Sequence, residues 1–245
     1  MKSKLSVLLA FALSLGALRA EEPKSSYSIT ADFLYVTEYI FRGIEQQDGA
    51  LQPAVTFTKD TLSLGVWSSQ ALSNRSANWA QGNEVDVWFS YGISFDQATI
   101  SVGGTGYLYT TARPSFGEPD DTWELSLGAS GPLGPLTGSA TYFHDFVLKS
   151  DTFEFKLAYS LPLPDDRGAV DFTGFYALND IGDVNGSHAG EHTIDYKYFG
   201  ASAAFTCKLN ARTALKASVN YVDVDDVPGA PGANLWFAIG VSAGL

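Results

Sequence analysis

Carboxylate side chains occupy alternate positions in a short segment of this 245-residue chain. In residues 84–93, Glu84 and Asp86 alternate with Val85 and Val87, and the alternation continues to the end of the segment. Rings of carboxylates around a water-filled path favour cations, whereas lysines favour anions. These residues therefore indicate electrostatic selection among solutes. They do not indicate a catalysed reaction.

Charged residues share this parity in the other alternating segments. If the apolar parity faces lipid, the charged parity must face inward, because Lys or Arg near the middle of a bilayer costs about 2–4 kcal/mol. The carboxylates expected inside are Asp32, Glu84, Asp86, Glu124, Glu154, Asp171 and Asp195, and the lysines are Lys156, Lys197 and Lys216. This excess of acids predicts a water-filled interior with a mild preference for cations. The alternative is that these charges pair across the interior and close it.

Arg42 lies in a Phe-Arg-Gly step, where the first alternating segment gives way to a polar stretch. Gly43 permits a backbone bend that would fold this stretch inward. Arg42 would then reach the interior and pair with a carboxylate such as Glu84 or Asp86, which would narrow the path. The alternative is an arginine in solvent at a loop base, or one bound to lipopolysaccharide phosphate. The predicted pore-lining set is Arg42, Glu84, Asp86, Glu124, Glu154, Lys156, Asp195, Lys197 and Lys216.

A hydrolase would need a serine beside a histidine, with an orienting Asp or Asn. His144 is close in sequence to Ser139 and Asp145, but no nucleophile motif surrounds it. His188 and His192 lie in one glycine-rich stretch, and their spacing would suit a metal pair only in a helix. We therefore expect no catalytic residues.

Metal-binding motifs are incomplete. Asp183, Asn185 and Gly186 match the third, fifth and sixth places of a calcium loop, but the first and twelfth places hold no acid. Cys207 is the only cysteine, which excludes a CxxC site and an intrachain disulfide. The sequence therefore predicts neither a metal nor a cofactor.

Twelve segments alternate in the way expected of strands with one apolar face. They lie at residues 27–37, 51–58, 61–68, 84–93, 98–109, 122–129, 136–144, 152–160, 169–178, 193–204, 211–221 and 234–244.

The connections between these segments alternate in length. Short or Pro/Gly-containing turns are predicted near residues 59–60, 95–96, 131–135, 162–168 and 207–210. Longer polar connections are predicted at residues 39–50, 69–83, 110–121, 179–192 and 222–233, with a shorter one at 145–151. In a meander, alternate connections fall at opposite ends of the strands, and long loops opposite short turns are typical of outer-membrane barrels.

Aromatic residues near the predicted strand ends resemble the girdles of membrane barrels. They are Tyr27, Tyr35, Tyr91, Tyr107, Tyr109, Trp123, Tyr142, Tyr159, Tyr176, Tyr196, Tyr221 and Trp236. We therefore predict an all-β fold, a closed antiparallel up-and-down transmembrane barrel of about 12 strands. A soluble β-sandwich is the alternative, and it is disfavoured because the second face is too charged for a packed core.

The N-terminus has the layout of a secretory signal peptide. Lys2 and Lys4 precede an apolar run at residues 5–18, and Ala20 is a small residue at a plausible cleavage point. The expected domains are therefore a signal peptide at 1–20 and a barrel at 21–245. Removal of residues 1–20 takes away three basic residues and no acid, which changes the formal charge from −12 to about −15. Such a charge argues against nucleic-acid binding.

Four short blocks resemble a known family. They are Tyr39-Ile-Phe-Arg-Gly43, Gln52-Pro-Ala54, Gly65-Val-Trp67 and Glu84-Val-Asp86, and the match is best from Phe33 to Tyr109. In order and spacing these blocks are similar to those of the TorF-type porins, exported proteins of Gram-negative bacteria. The resemblance implies an outer-membrane barrel with no catalytic residues and no cofactor, and it leaves the solute open.

The expected function is a porin-like channel in the bacterial outer membrane for passive diffusion of small hydrophilic solutes or ions. Its expected surroundings are outer-membrane lipid and lipopolysaccharide, and its oligomeric state is open. Two alternatives remain at this point: a non-conducting structural or adhesive barrel, and an outer-membrane lipid hydrolase. An open lumen and a plugged lumen are both compatible with about 12 strands, because barrels of 8 strands are filled and those of 16–18 strands are open.

Overall fold

The computed structural model describes residues 27–72, 83–110, 121–181, 194–225 and 233–244. The predicted signal peptide, and the stretch that holds His188 and His192, lie outside the described residues. Within those ranges, none of the helices has the length and apolar character needed to cross a membrane.

Period-two alternation produces twelve strands. They are β1 (Tyr27–Phe41), β2 (Ile44–Lys59), β3 (Leu62–Ala71), β4 (Glu84–Phe95), β5 (Ala98–Tyr109), β6 (Thr122–Leu133), β7 (Leu136–Asp145), β8 (Ser150–Pro162), β9 (Gly168–Ile181), β10 (Ile194–Lys208), β11 (Thr213–Asp225) and β12 (Asn234–Gly244). Each strand pairs antiparallel with its neighbours in sequence, and β12 pairs with β1 to close the barrel. The predicted fold class and strand number are therefore confirmed.

The two ends of the barrel differ. The chain enters β1 and leaves β12 at one end, where strand pairs are joined by short turns such as Gly134-Pro135 and the one-turn 3-10 helix Pro164–Asp166. We call this the turn end. The opposite end, where residues 73–82, 111–120, 182–193 and 226–232 join the strands, is called the loop end. Long connections at one end and short turns at the other agree with the sequence-based prediction.

The first connection is an exception. Residues 39–50 were expected to form a long loop, but β1 and β2 continue through them to a two-residue turn at Arg42 and Gly43, where Phe41 pairs with Ile44. Both turn residues have positive φ, +49° and +81°. Positive φ at both central positions is the geometry of a type I′ turn, which matches the twist of a tight hairpin. The prediction of a loop here is wrong because this polar segment pairs with β1 as a strand and finds polar partners inside the barrel, such as Ser69 for Gln47.

The two faces of the wall have opposite character. Large apolar side chains are exposed outward on every strand except β7; examples are Phe33, Val87 and Leu127, at 50%, 51% and 54% exposure. Polar and charged side chains alternate with them and face the lumen. Residues that pair across neighbouring antiparallel strands lie on the same face of the sheet. The apolar outer face and the polar inner face therefore continue from strand to strand around the barrel.

Candidate functional site

The lumen near the turn end is lined by small side chains. Hydroxyl groups predominate, and two of them bond across strands, Thr58 to Ser63 at 3.1 Å and Ser94 to Thr99 at 3.1 Å. Other inward-facing hydroxyl residues in this half are Thr30, Thr56, Ser90, Ser101, Ser130, Ser139, Ser202, Thr206, Ser218 and Ser242. These short hydroxyl side chains make the wall of this half of the lumen polar.

Nearer the loop end, the tip of the β1–β2 hairpin folds into the lumen. We call residues 39–50 the inner hairpin. The Tyr196 hydroxyl donates to the backbone oxygen of Arg42 at 3.2 Å, and Gly43 lies against Val224 and Tyr198 on β10 and β11. The same tip reaches β6 through the Arg42 side chain. Since β6 and β10 lie on different sides of β1 and β2 in the closed sheet, the inner hairpin crosses the lumen.

Arg42 forms a buried ion pair with Glu124. Arg42 Nη2 lies 2.7 Å from Glu124 Oε2, and the two side chains are 13% and 4% exposed. The Tyr107 hydroxyl donates to the other carboxylate oxygen of Glu124 at 2.8 Å. The guanidinium also stacks on Phe41 and Phe143, at 4.8 and 5.1 Å from the ring centroids. We call the Arg42–Glu124 pair the clasp, because it ties the hairpin tip to the wall.

The predicted inward position of Arg42 agrees with this geometry, but its predicted partner was wrong. Glu84 and Asp86 lie on the inner face of β4, toward the other side of the inner hairpin. Arg42 pairs with Glu124 because the hairpin tip lies next to β6. The position of β6 relative to the tip depends on the curvature of the closed sheet.

One side of the inner hairpin is packed against β3 and β4. Tyr39 lies 5.2 Å from Trp67 between ring centroids. The Ser69 hydroxyl donates to Gln47 Oε1 at 2.6 Å, and Gln47, Ser69 and Glu84 are at most 2% exposed. Buried polar groups that bond to one another in this way hold the hairpin in one position. On this side the lumen is filled.

On the other side the lumen holds a cavity of about 360 Å³. We call it the hairpin cavity. Its walls come from the hairpin tip and from every strand between β5 and β12. The lining residues include Arg42, Tyr107, Glu124, Phe143, Glu154, Phe175, Tyr198, Ser202, Asn220, Val222 and Trp236. The free space therefore lies off the barrel axis, beneath the clasp.

Two further ion pairs lie on the inner face. Lys156 Nζ contacts Glu154 Oε1 at 2.7 Å on β8, and Lys216 Nζ contacts Asp32 Oδ1 at 2.5 Å across β12. The second pair spans β12 because small residues, Gly240 and Ser242, lie between its two strands. These four charged residues face inward, as their parity predicts.

Asp171 also faces the lumen, opposite Ser160 and Ala204. Asp145 is an inward carboxylate that sequence reasoning left out. It is 2% exposed and accepts the backbone NH groups of Val147 and Leu148, at 2.9 and 2.7 Å, in the β7–β8 turn. Its parity with Glu124, its cross-strand neighbour, is the signal that would have found it.

Asp195 and Lys197 are outside the barrel, and their predicted inward orientation is wrong. Both are exposed, whereas Tyr196 and Tyr198 between and beside them are 4% and 3% exposed and face the inner hairpin. The sequence argument assumed that the tyrosines meet lipid. Near the end of a strand a charge costs only about 0–1 kcal/mol on the lipid side, so the tyrosines are free to fill the lumen.

The aromatic girdle is confirmed in part. Most of the predicted residues are exposed outward, among them Tyr35, Trp123 and Tyr159. Four lie on the inner face instead: Tyr107, Tyr109, Tyr196 and Trp236. Position near a strand end does not decide orientation. For Tyr107 and Trp236 parity was a usable signal, because both residues alternate with apolar side chains on the outer face, such as Leu108 and Phe237. Tyr196 gave no such signal, because its neighbours Asp195 and Lys197 are charged.

His144 does not form a hydrolase site with Ser139. His144 faces outward with Nδ1 2.8 Å from Asp151 Oδ1, whereas Ser139 faces the lumen. Among the described residues, no group of three or more His, Cys, Asp or Glu side chains is arranged to hold a metal ion. The partial calcium motif lies almost wholly outside those residues.

Solved structures with the same architecture are outer-membrane barrels. The KdgM porin in complex with disordered oligogalacturonate matches with a TM-score of 0.53 and 12% identity, over 88% of this chain and 98% of that chain. An outer-membrane channel from Pseudomonas putida F1 gives 0.51 and 11%, over 91% and 97%. LpxR from Salmonella typhimurium gives 0.50 and 6%, over 88% and 99%. At these identities the likeness concerns the fold.

Sequence comparison gives the family. No curated protein matches the chain. The profile of the Gcw_chp family, described as bacterial protein of unknown function, matches residues 20–234. This match runs from ahead of β1 to the first residue of β12. It includes the inner hairpin, the clasp and the lining residues of the hairpin cavity other than Trp236. The chain therefore belongs to the Gcw_chp family.

Proposed function

We propose that this protein is an outer-membrane channel for the passive diffusion of small hydrophilic solutes or ions, with a mild preference for cations. The observation that carries the proposal is the division of one closed sheet into an apolar outer face and a charged inner face. Charges are tolerated inside a membrane barrel only where water or partners reach them. A wall of this kind around a polar lumen suits a solute path.

The proposed location is the bacterial outer membrane. The signal-like N-terminus at residues 1–20 supports export, and the barrel fold supports insertion as a closed sheet. Membership of the TorF-type porins is the finer part of the proposal, and the four sequence blocks from Tyr39 to Asp86 support it. Lipid and lipopolysaccharide are the proposed surroundings of the outer face.

The excess of acids on the inner face supports the preference for cations. Outside the inner hairpin, the described inward acids on the wall are Asp32, Glu84, Asp86, Glu124, Asp145, Glu154 and Asp171. The inward bases are Arg42, Lys156 and Lys216. Each base is paired with an acid, so the charge that remains is negative. The KdgM porin was solved in complex with oligogalacturonate, which is a polyanion. The negative inner face of this barrel does not favour such an anion.

Planar-bilayer recording with a KCl gradient tests the proposal. We expect discrete conductance steps and a reversal potential on the cation side, because the remaining inner charge is negative. A reversal potential on the anion side would contradict the charge argument while leaving the channel in place. The absence of ion current at every voltage would contradict the channel function itself.

The non-conducting barrel is the second candidate, and the packed side of the inner hairpin favours it. Gln47 and Ser69 are almost wholly buried there, and the clasp holds the tip on the far side. Liposome swelling separates the two candidates. A channel admits small sugars and the vesicles swell, whereas a closed barrel gives the rate of protein-free vesicles.

The lipid hydrolase is not part of the proposal. His144 and Asp151 face outward without a serine nucleophile beside them in the described chain. A deacylation assay on phospholipid and lipid A tests this, and release of fatty acid that stops in a His144→Ala variant would reverse it.

A further inference from the structure

The hairpin cavity combines aromatic rings with polar groups that point into the same space. Phe175 on β9 and Trp236 on β12 line it, and the polar residues Glu154, Ser202 and Asn220 line it from β8, β10 and β11. The Asn220 amide nitrogen donates to Ser218 Oγ at 3.0 Å, which fixes the plane of the amide. Small-molecule sites typically have this make-up, apolar and aromatic surface with a few placed polar groups.

The cavity is poorly suited to an organic cation. A cation would use the faces of aromatic rings, but two of the rings at the cavity, Phe41 and Phe143, already have the Arg42 guanidinium over them, at 4.8 and 5.1 Å from the ring centroids. A second positive charge at this place would be repelled by Arg42. The two carboxylates at the cavity, Glu124 and Glu154, are each held by a base at 2.7 Å.

The cavity is equally unsuited to an anion. Arg42 is the basic residue at its wall, and its Nη2 donor is bound to Glu124. Lys156, the nearest other inward base on the same strand as Glu154, is bound to that carboxylate. An anion would have to break one of these pairs and would then meet the released carboxylate. The charges in this part of the lumen therefore cancel locally.

The lining suits a neutral ligand that carries several hydroxyl groups. The paired charges and the Asn220 amide still offer free lone pairs and N–H groups to hydroxyl groups, because each pair uses only part of its hydrogen-bonding capacity. Phe175 and Trp236 give the wall aromatic apolar surface, which suits the C–H groups of a pyranose ring. A volume of about 360 Å³ is near the lower end of the range for small-molecule sites, about 300–1,000 Å³.

From these steps we propose that the hairpin cavity is a binding site for an uncharged sugar of monosaccharide size. The inference rests on the proposed channel function and names one class of small hydrophilic solute that binds inside this channel. In this arrangement the clasp is the roof of the site, and Trp236 and Phe175 form the stacking surface.

The binding test uses the folded, full-length barrel in an amine-oxide detergent, since sugar-headed detergents would compete. Saturation-transfer NMR with D-glucose measures binding whether or not the barrel conducts. We expect a glucose signal that saturates, and weaker signals for D-galacturonate and D-glucosamine at equal concentration. Trp236→Leu should weaken glucose binding by about tenfold, as expected for loss of one aromatic stacking contact. Asn220→Ala should weaken it in the same direction.

Trp123→Leu is the matched control, because Trp123 is 49% exposed on the outer face. It should leave glucose binding unchanged. Electrophoretic mobility of unheated samples verifies that each variant is folded, and if Trp236→Leu is not folded, Asn220→Ala carries the test. Equal glucose binding by wild type, Trp236→Leu and Asn220→Ala would overturn the site, as would the absence of saturable binding.

Bilayer recording separates this inference from the proposed function. In a conducting barrel, glucose should reduce the ion current with saturation, whereas a polyethylene glycol of equal hydrodynamic radius should reduce it only in proportion to concentration. Current without saturable block and without an NMR signal refutes the sugar site and leaves the channel. An NMR signal lost in Trp236→Leu, in a barrel without current, refutes the channel and leaves the site.

Discussion

The clasp puts an ion pair where water has little access. Glu124 is 4% exposed and also accepts the Tyr107 hydroxyl, so its negative charge depends on two donors from other segments of the chain. Removing one partner of a buried pair leaves the other charge uncompensated, at a cost of about 3–5 kcal/mol. Arg42 has a second contribution, because its stacking on Phe41 and Phe143 fills the lumen at the hairpin tip.

Arg42→Ala is therefore expected to raise the single-channel conductance and to lower the stability of the barrel by about 3 kcal/mol. The conductance rises because the tip loses its tie to β6 and the guanidinium no longer occupies the cavity roof. Glu124→Gln should have a similar but smaller effect. Combined in one chain, the two changes should be non-additive by about 0.5–3 kcal/mol, the range for residues in direct contact. Bilayer recording and urea titration measure the two quantities.

Arg167→Ala is the control for the loss of a positive charge, because Arg167 is exposed in the β8–β9 turn. It should change neither conductance nor stability. Unchanged conductance in Arg42→Ala would remove Arg42 from the solute path, and additive effects of Arg42→Ala and Glu124→Gln would show that the clasp contributes no coupling.

For individual side chains, the sequence predicted which face of the wall they lie on better than it predicted their ion-pair partners. Parity placed Glu84, Glu154 and Lys156 on the inner face, since alternation along a strand is local information. The partner of Arg42 lies 82 residues away, and its identity depends on how twelve strands curve around the lumen. Tyr198 was assigned to the wrong face because an aromatic ring suits both lipid and a packed lumen.

At the scale of elements, the inner hairpin differs from every other strand pair in the described chain. Its buried contacts form two apolar groups, one around Tyr196 and Val222 and one around Val36 and Tyr39. Both groups include hairpin residues, Ile40 and Ile44 in the first and Phe41 in the second. The hairpin is therefore held at both flanks as well as at its tip.

The turn at the tip requires Gly43 for a steric reason. A Cβ at this position would lie 2.5 Å from Val224 Cγ2 and 3.0 Å from Tyr198 Cβ. Gly43→Ala should therefore push the tip away from β10 and β11, which opens the lumen there and raises conductance. It should also destabilise the barrel, by the left-handed backbone cost of about 1–2 kcal/mol and by a further steric amount. Bilayer recording and thermal unfolding measure both effects.

Gly134→Ala is a matched control. Gly134 has a similar φ of +65°, in the β6–β7 turn, but nothing lies within 4 Å of an added Cβ. It should show the backbone cost alone, with wild-type conductance. If Gly43→Ala and Gly134→Ala are equally stable and conduct alike, the tip does not depend on its contact with the wall.

Strands and turns were predictable where Gly and Pro residues mark a turn between two segments of alternating polar and apolar residues. Gly131 to Pro135 between two alternating runs indicated a tight turn, and β6 and β7 meet there. The inner hairpin was missed because Glu45, Gln47 and Gly49 read as a polar loop. A polar run of this kind can form a strand inside the lumen because the neighbouring strand β3 supplies polar partners such as Ser69.

For the molecule as a whole, closure was the most predictable property. An even number of amphipathic strands joined by alternating long and short connections has few arrangements without exposed edges, and a closed barrel removes the edges altogether. The pairing of β1 with β12, from Thr30 with Gly244 to Val36 with Ala238, completes it. The filling of the lumen was not predictable, because it depends on one hairpin that folds in.

Adjacent residues of β6 test the division between the outer and inner faces in one strand. Leu127 is 54% exposed on the outer face near the middle of the strand, and Ser126 faces the lumen next to Gly103. Leu127→Arg should destabilise the barrel folded in phospholipid vesicles by about 2–4 kcal/mol, because it places a charge in the hydrocarbon region. Ser126→Arg places the same charge in a polar lumen, so it should lower folding stability much less and should reduce the cation preference instead. Urea titrations in vesicles and reversal potentials measure the two outcomes, and equal folding penalties at the two positions would mean that the wall does not separate lipid from water.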